Sequence, residues 1–158
     1  MLAHMCQTPF YQRLRVELQL GYAVFSGLRQ INGHAGLLFG VQSPSVAPLD
    51  LLEHIEQFLS ELEGMIESID DATYIDQRQA LADQFDNTAL PNAQAAELLW
   101  QGKLAGHSSD YLNRLPQAIL MIDREALLAA AQRLNRADGG WRCLANGTCP
   151  TELWQVAK

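Results

Sequence analysis

Two side chains near the front of the sequence have the chemistry to act on a substrate. Arg15 and Tyr22 flank Gly21 in the run L-R-V-E-L-Q-L-G-Y-A-V-F-S-G, which spans residues 14–27. Arginine presents a rigid fork of donors to a carbonyl or carboxylate. A phenol can donate to the oxyanion that develops at a carbonyl under attack. Each also has a purely structural reading, Arg15 as a helix-surface ion pair and Tyr22 as a half-buried strand aromatic. A third candidate is Asp50-Leu51-Leu52-Glu53-His54. It approaches the H-x-x-E-H pattern, in which two histidines one helical turn apart hold a metal and the glutamate activates water. Aspartate replaces the first histidine, and aspartate can also ligate zinc. His4, His34 and His107 have no partners at ligand spacing and read as surface or loop residues. The sequence has no G-x-S-x-G, Walker loop or G-x-G-x-x-G, so no motif positions a nucleophile or a nucleotide.

The elements that must carry these groups follow from periodicity. Phe10, Leu14 and Leu18 fall at i, i+4 and i+8, which predicts an amphipathic helix over 2–19. Thr8-Pro9 is a candidate break, with Thr8 as N-cap and Pro9 at N1. Arg13 and Glu17 are spaced to pair along that helix. Gly21 is placed to cap it in the left-handed conformation. From Tyr22 the period changes to 2, with β-branched and aromatic residues, so a strand begins. Arg15 and Tyr22 are therefore expected at one end of a sheet.

Asn32-Gly33 lies between strand-like runs at 22–30 and 34–43, the signature of a type I′ hairpin. The run Leu37 to Val41 is apolar at alternate and intervening positions, which predicts cover on both faces. A long helix is expected from Pro48 or Leu49 to about Ile69, with Leu52, Ile55, Leu59, Leu62, Ile66 and Ile69 on one face. Glu53, Glu56, Glu63 and Glu67 read mostly as a solvated acidic face. Asp70 or Asp71 caps the next helix, which carries Tyr74, Leu81 and Phe85. Further helices are expected at 92–104, at 108–121 with Pro116 ending or kinking it, and at 124–136 after the Asp123 cap. Asp138-Gly139-Gly140 stops the last of these. Trp141 to Leu144 reads as a C-terminal strand, and 146–158 as a tail. The expected fold is α+β: a small antiparallel sheet, hairpin plus C-terminal strand, with helices stacked on it. Residues 1–145 form one domain on this reading, with no internal repeat.

The chain has 158 residues, enough for one domain with a buried core, and 48% hydrophobic with 18% charged residues is a globular composition. A net charge of −7 argues against nucleic acid or an anionic membrane surface as partner. No apolar run reaches membrane-spanning length, and residues 1–7 do not resemble a signal peptide. Three cysteines without C-x-x-C spacing suit a reducing compartment and predict a cytoplasmic protein. Cys143 and Cys149 can pair, although two free thiols are the preferred reading.

The run through Gly27, the following G-L-L-F-G-V-Q-S from Gly36 to Ser43, Pro48 and the helix E-H-I-E-Q-F-L together resemble the C-terminal half of insulinase/pitrilysin-type zinc metallopeptidases. The wording is dense over 8–62 and only positional afterwards. It is most similar to the bacterial branch that processes the precursor peptide of pyrroloquinoline quinone (PQQ). The resemblance implies a non-catalytic module that walls part of a substrate chamber, with first strands that precede Met1. The matching arginine and tyrosine, Arg15 and Tyr22, would bind the peptide near the zinc. Residues 50–54 align with a helix that is not the family's zinc helix. The resemblance therefore implies no catalytic residue, no metal ligand and no cofactor in this chain, and zinc in an N-terminal catalytic half. Expected partners are that half, on the same polypeptide or as a separate peptidase subunit, and the PQQ precursor peptide. The isolated chain, with an open sheet edge, is expected to form a homodimer. The rival reading is a stand-alone, catalytically dead interaction subunit that docks a separate zinc peptidase. A small hydrolase using His54 is a third.

Overall fold

The computed structural model describes residues 1–31, 34–86, 90–136, 140–147 and, for the backbone, 154–156. The chain begins with α1 (Leu2–Tyr11), which continues into a π-helical turn, Gln12–Glu17. The expected break at Thr8-Pro9 is absent, and Pro9 sits inside α1. Met5, Cys6 and Phe10, all buried, keep both sides of the proline on one packed stripe.

The wide turn changes which residues face inward. Leu18 N donates to Arg13 O at 2.9 Å, a five-residue step that inserts extra chain into the helix. Phe10 and Leu14 are fully buried, but Leu18 is rotated off the stripe and is 41% exposed. Leu20, whose N–H donates to Leu14 O at 2.9 Å, takes the inward place at 9% exposed. The left-handed residue at this exit is Gln19, with φ 52°, and not Gly21 as the capping pattern predicts.

Strands β1 (Ala23–Ile31) and β2 (His34–Gln42) pair antiparallel, from Ala23 opposite Gln42 to Ile31 opposite His34. The Asn32-Gly33 turn itself lies outside the described residues. The expectation that helices cover both faces of Leu37 to Val41 does not hold. Val24, Phe39 and Val41 pack toward the core, whereas Phe25 and Leu38 on the opposite face are 52% and 44% exposed. A two-stranded sheet with its helices on one side leaves its second face open.

Helix α2 (Pro48–Ser68) starts with Pro48 at N1, where the missing N–H costs nothing. It buries Leu51, Leu52, Ile55, Phe58, Leu59, Leu62 and Ile66. Glu53 and Glu67 are exposed as expected, while Glu63 is half-buried and accepts from Asn135 Nδ2 at 2.9 Å. Helix α3 (Asp71–Asp83) is capped by Asp70, which accepts from Thr73 N at 2.9 Å. Helices α4 (Asn92–Leu104) and α5 (Tyr111–Leu120) follow, and α5 runs through Pro116 to Leu120. Helix α6 (Arg124–Asn135) is capped by Asp123, which accepts from Ala126 N at 2.7 Å.

The main core lies where α1, β1, β2, α2 and α6 meet. Its centre is an aromatic trio, with the Phe10 ring edge-on to Phe39 and to Phe58 at centroid distances of 5.1 Å. A smaller cluster of Leu81, Ala82 and Ile119 joins α3 to α5. The fold is α+β, with one difference at the C-terminal end. Strand β3 (Trp141–Cys143) does not join the hairpin; it pairs in parallel with β4 (Trp154–Val156), inside the segment expected to be a tail. Trp141 instead anchors β3 to α6, its Nε1 donating to Leu134 O at 2.9 Å. Of the expected Asp138-Gly139-Gly140 stop, only Gly140 is described, with φ 72°. Cys149 lies outside the described residues, so the reading of a Cys143–Cys149 pair concerns atoms not described here.

Candidate functional site

Arg15 and Tyr22 both stand at the open end of the hairpin, the end marked by Ala23 opposite Gln42. Arg15 rides on the π-helical turn and is half-buried. Its Nη1 donates to the carbonyl oxygen of Gly21 at 2.8 Å. Tyr22 N donates to Gln42 O at 3.0 Å. The Gly21 carbonyl and the Tyr22 N–H belong to one peptide unit, so that unit is held at both ends. The grips come from different elements, the π turn on one side and the end of β2 on the other.

Gly21 is buried against β2. A Cβ built on it overlaps the Gln42 carbonyl oxygen and lies 3.0 Å from the Gln42 carbonyl carbon and 3.2 Å from Val41 Cγ1. Glycine is required here for close approach of two backbones rather than for a positive φ. The result is a fixed backbone carrying a free side chain. Tyr22 is 57% exposed, and its hydroxyl has no hydrogen bond among the described residues. It can thus donate to, or accept from, a group that arrives from outside. Arg15 has further N–H donors beyond the one that Gly21 uses.

Residues 50–54 occupy the first turns of α2. Asp50 and Glu53 are exposed and His54 is half-buried, while Leu51 and Leu52 insert into the core. Among the described residues, no group of three or more His, Cys, Asp or Glu side chains could hold a metal ion. His4 is half-buried, and burial lowers its pKa. His34 is exposed at the turn end of β2, and His107 stacks on Tyr111 at 4.5 Å. Arg13 does not pair with Glu17; it forms a two-pronged ion pair with Glu61 on α2, at 2.7 and 3.1 Å. An open recess of about 350 Å³ lies between α3 and α5, lined in part by Gln79, Asp83, Leu112 and Gln117, on elements remote in sequence from Arg15 and Tyr22.

Sequence reasoning missed the part Gln42 plays, because it acts through its backbone carbonyl and no side-chain pattern reports that. Among the described residues, no helix is long and apolar enough to cross a membrane.

The crystal structure of pitrilysin superposes with a TM-score of 0.76 over 99% of this chain and 18% of that one, at 21% identity, which shows the shared fold. The model of the PQQ synthase PqqF-like family, C-terminal lobe domain 4, matches residues 1–100, and the chain belongs to that family. It is 54% identical to coenzyme PQQ synthesis protein F of Pseudomonas protegens over 158 residues, all of this chain and 19% of that protein. It is 49% identical to the Pseudomonas syringae pv. tomato protein of the same name over 146 residues, 92% of this chain and 18% of that protein. The chain therefore spans about a fifth of the length of the curated relatives it matches. The likeness to these relatives runs well past residues 8–62, where the motif wording is densest.

Proposed function

We propose that this chain is the non-catalytic C-terminal module of a zinc metalloendopeptidase, and that it forms part of the wall of a chamber in which the PQQ precursor peptide is cut. The zinc and its ligands belong to an N-terminal catalytic half of the same polypeptide. The peptide is made on ribosomes, and the reaction takes place in the cytoplasm. Tyr22 is the residue that meets the substrate, and Arg15 belongs to the same site.

The observation that carries this reading is the contrast at Tyr22, an exposed phenol on a backbone held at both ends. A donor fixed before substrate arrives needs no reorganisation as charge develops, which is where such groups lower barriers most. In this scheme the Tyr22 hydroxyl donates to the oxyanion formed as water adds to the scissile carbonyl. Zinc, when bound in the other half, supplies the activated water and polarises the same carbonyl.

The test is contact. A photoreactive phenylalanine analogue replaces Tyr22 in the full-length enzyme, which is then irradiated with the precursor peptide. An adduct joining position 22 to the peptide supports the reading. Adducts confined to the protein's own chain contradict it.

A further inference from the structure

We propose that Arg15 is a positioning residue for Tyr22, acting through the carbonyl of Gly21. The inference rests on the reading of Tyr22 as the donor to the cleaved peptide and assigns Arg15 a different task from gripping substrate. The peptide unit between Gly21 and Tyr22 has two polar atoms, and each is taken: the oxygen by Arg15 Nη1 at 2.8 Å, the N–H by Gln42 O at 3.0 Å. With both ends fixed, that peptide plane cannot rotate, and the Cα–Cβ bond of Tyr22 points in one direction. Gly21 supports this by its close approach to Gln42, where any side chain would push the plane away.

The π-helical turn explains how Arg15 reaches the carbonyl. Gln12–Glu17 inserts extra chain after α1, and Gln19 then reverses the path with φ 52°, returning Gly21 to within one hydrogen bond of Arg15. A charged donor on a part-buried neutral carbonyl is stronger than a neutral pair.

The experiment uses the full-length enzyme and two readouts. The first is a double-mutant cycle with Arg15→Ala and Tyr22→Phe, following kcat and KM for the precursor peptide. Positioning predicts that Arg15→Ala lowers kcat by about tenfold or more with little change in KM, and that the loss nearly disappears when the hydroxyl is already absent. A rise in KM that is equally large in the Tyr22→Phe background shows that Arg15 grips the peptide itself, and overturns the proposal. The second readout is hydrogen exchange over residues 20–24, measured without substrate. Arg15→Ala is expected to speed exchange there by about tenfold or more, with the melting temperature little changed. Unchanged exchange overturns the proposal even if Tyr22 proves essential. Faster exchange combined with unaltered kinetics in Tyr22→Phe shows that the clamp exists but that Tyr22 is no donor; it refutes the reading on which the role depends, and a positioning role in the reaction with it.

Discussion

The carbonyl oxygen of Gln42 occupies the space into which a side chain at Gly21 would have to grow, with the Gln42 carbonyl carbon 3.0 Å from the position of such a Cβ. Gly40 looks similar at first, since a Cβ there would lie 2.8 Å from Phe25 Cε1. The two obstacles differ in kind. Against Gly21 stands the backbone at the end of β2, and against Gly40 stands an aromatic ring that is 52% exposed and free to swing outward. Gly21→Ala is therefore expected to lose on the order of 2–3 kcal/mol, the upper part of the range for forced overpacking. Gly40→Ala should lose about 1 kcal/mol or less. Urea denaturation of the two variants checks this, and an equal or reversed order would contradict it.

That contrast shows what the amino-acid order reveals and what it hides. The α2 stripe is legible because Leu52, Ile55, Leu59, Leu62 and Ile66 repeat at helical spacing, although Leu51 and Phe58 turn inward beside them, and the caps at Asp70 and Asp123 because an acidic residue ahead of an apolar run has one common use. Gly21 reads as a left-handed cap but serves close backbone approach, because glycine suits both and the sequence does not say which. Leu18 reads as a core residue only if a 3.6-residue period holds through a segment that in fact adopts a wider turn. Arg13 was expected to pair locally with Glu17, yet Glu61, far away in sequence, is the partner. Arg15 and Tyr22 were visible as residue types in a motif. The peptide unit that joins their roles is backbone and leaves no trace in the residue pattern.

Two arginines provide a second prediction. Arg124 Nη1 donates to Ile66 O at 2.8 Å and Ile69 O at 2.6 Å, and its Nη2 to Asp71 Oδ1 at 2.9 Å, while its guanidinium lies 5.1 Å from the Tyr74 ring centre. It ties the last turn of α2, the start of α3 and α6 together, and its charge suits a helix C-terminus. Arg124→Met should lose on the order of 2 kcal/mol, in the range for charged hydrogen bonds. Arg13, whose side chain is 32% exposed in its pair with Glu61 at 39%, is screened by solvent. Arg13→Met should lose less than about 1 kcal/mol. Chemical denaturation at low and moderate salt orders the pair, and a larger loss at Arg13 would contradict this.

Cys6 is fully buried, and burial pushes its thiol up to about 12 from 9.0. The folded chain holds this proton more tightly than the unfolded chain does. The contribution to stability is thus complete below pH 9 and is lost progressively as pH rises toward 12. Cys6→Ala should flatten the fall of stability with pH above 9, measured as denaturation midpoints at several pH values. Wild-type and variant curves that stay parallel would count against it. The same burial predicts that a thiol reagent labels Cys6 only after unfolding.

The most direct measurement of the account is turnover of the precursor peptide by the full-length enzyme carrying Tyr22→Phe. Val24→Ala serves as the control, because Val24 is a core residue, 6% exposed, on β1 two residues beyond Tyr22. That control should cost about 1–2 kcal/mol of stability and leave the rate near that of wild type. Tyr22→Phe removes one exposed oxygen and no packing, so its zinc content and melting temperature should match wild type. The account predicts a fall in kcat of about tenfold to a thousandfold, as for the loss of other oxyanion donors, with KM nearly constant. Wild-type kcat with full zinc occupancy would contradict it, and would return Tyr22 to an exposed strand-end aromatic with no part in the chemistry.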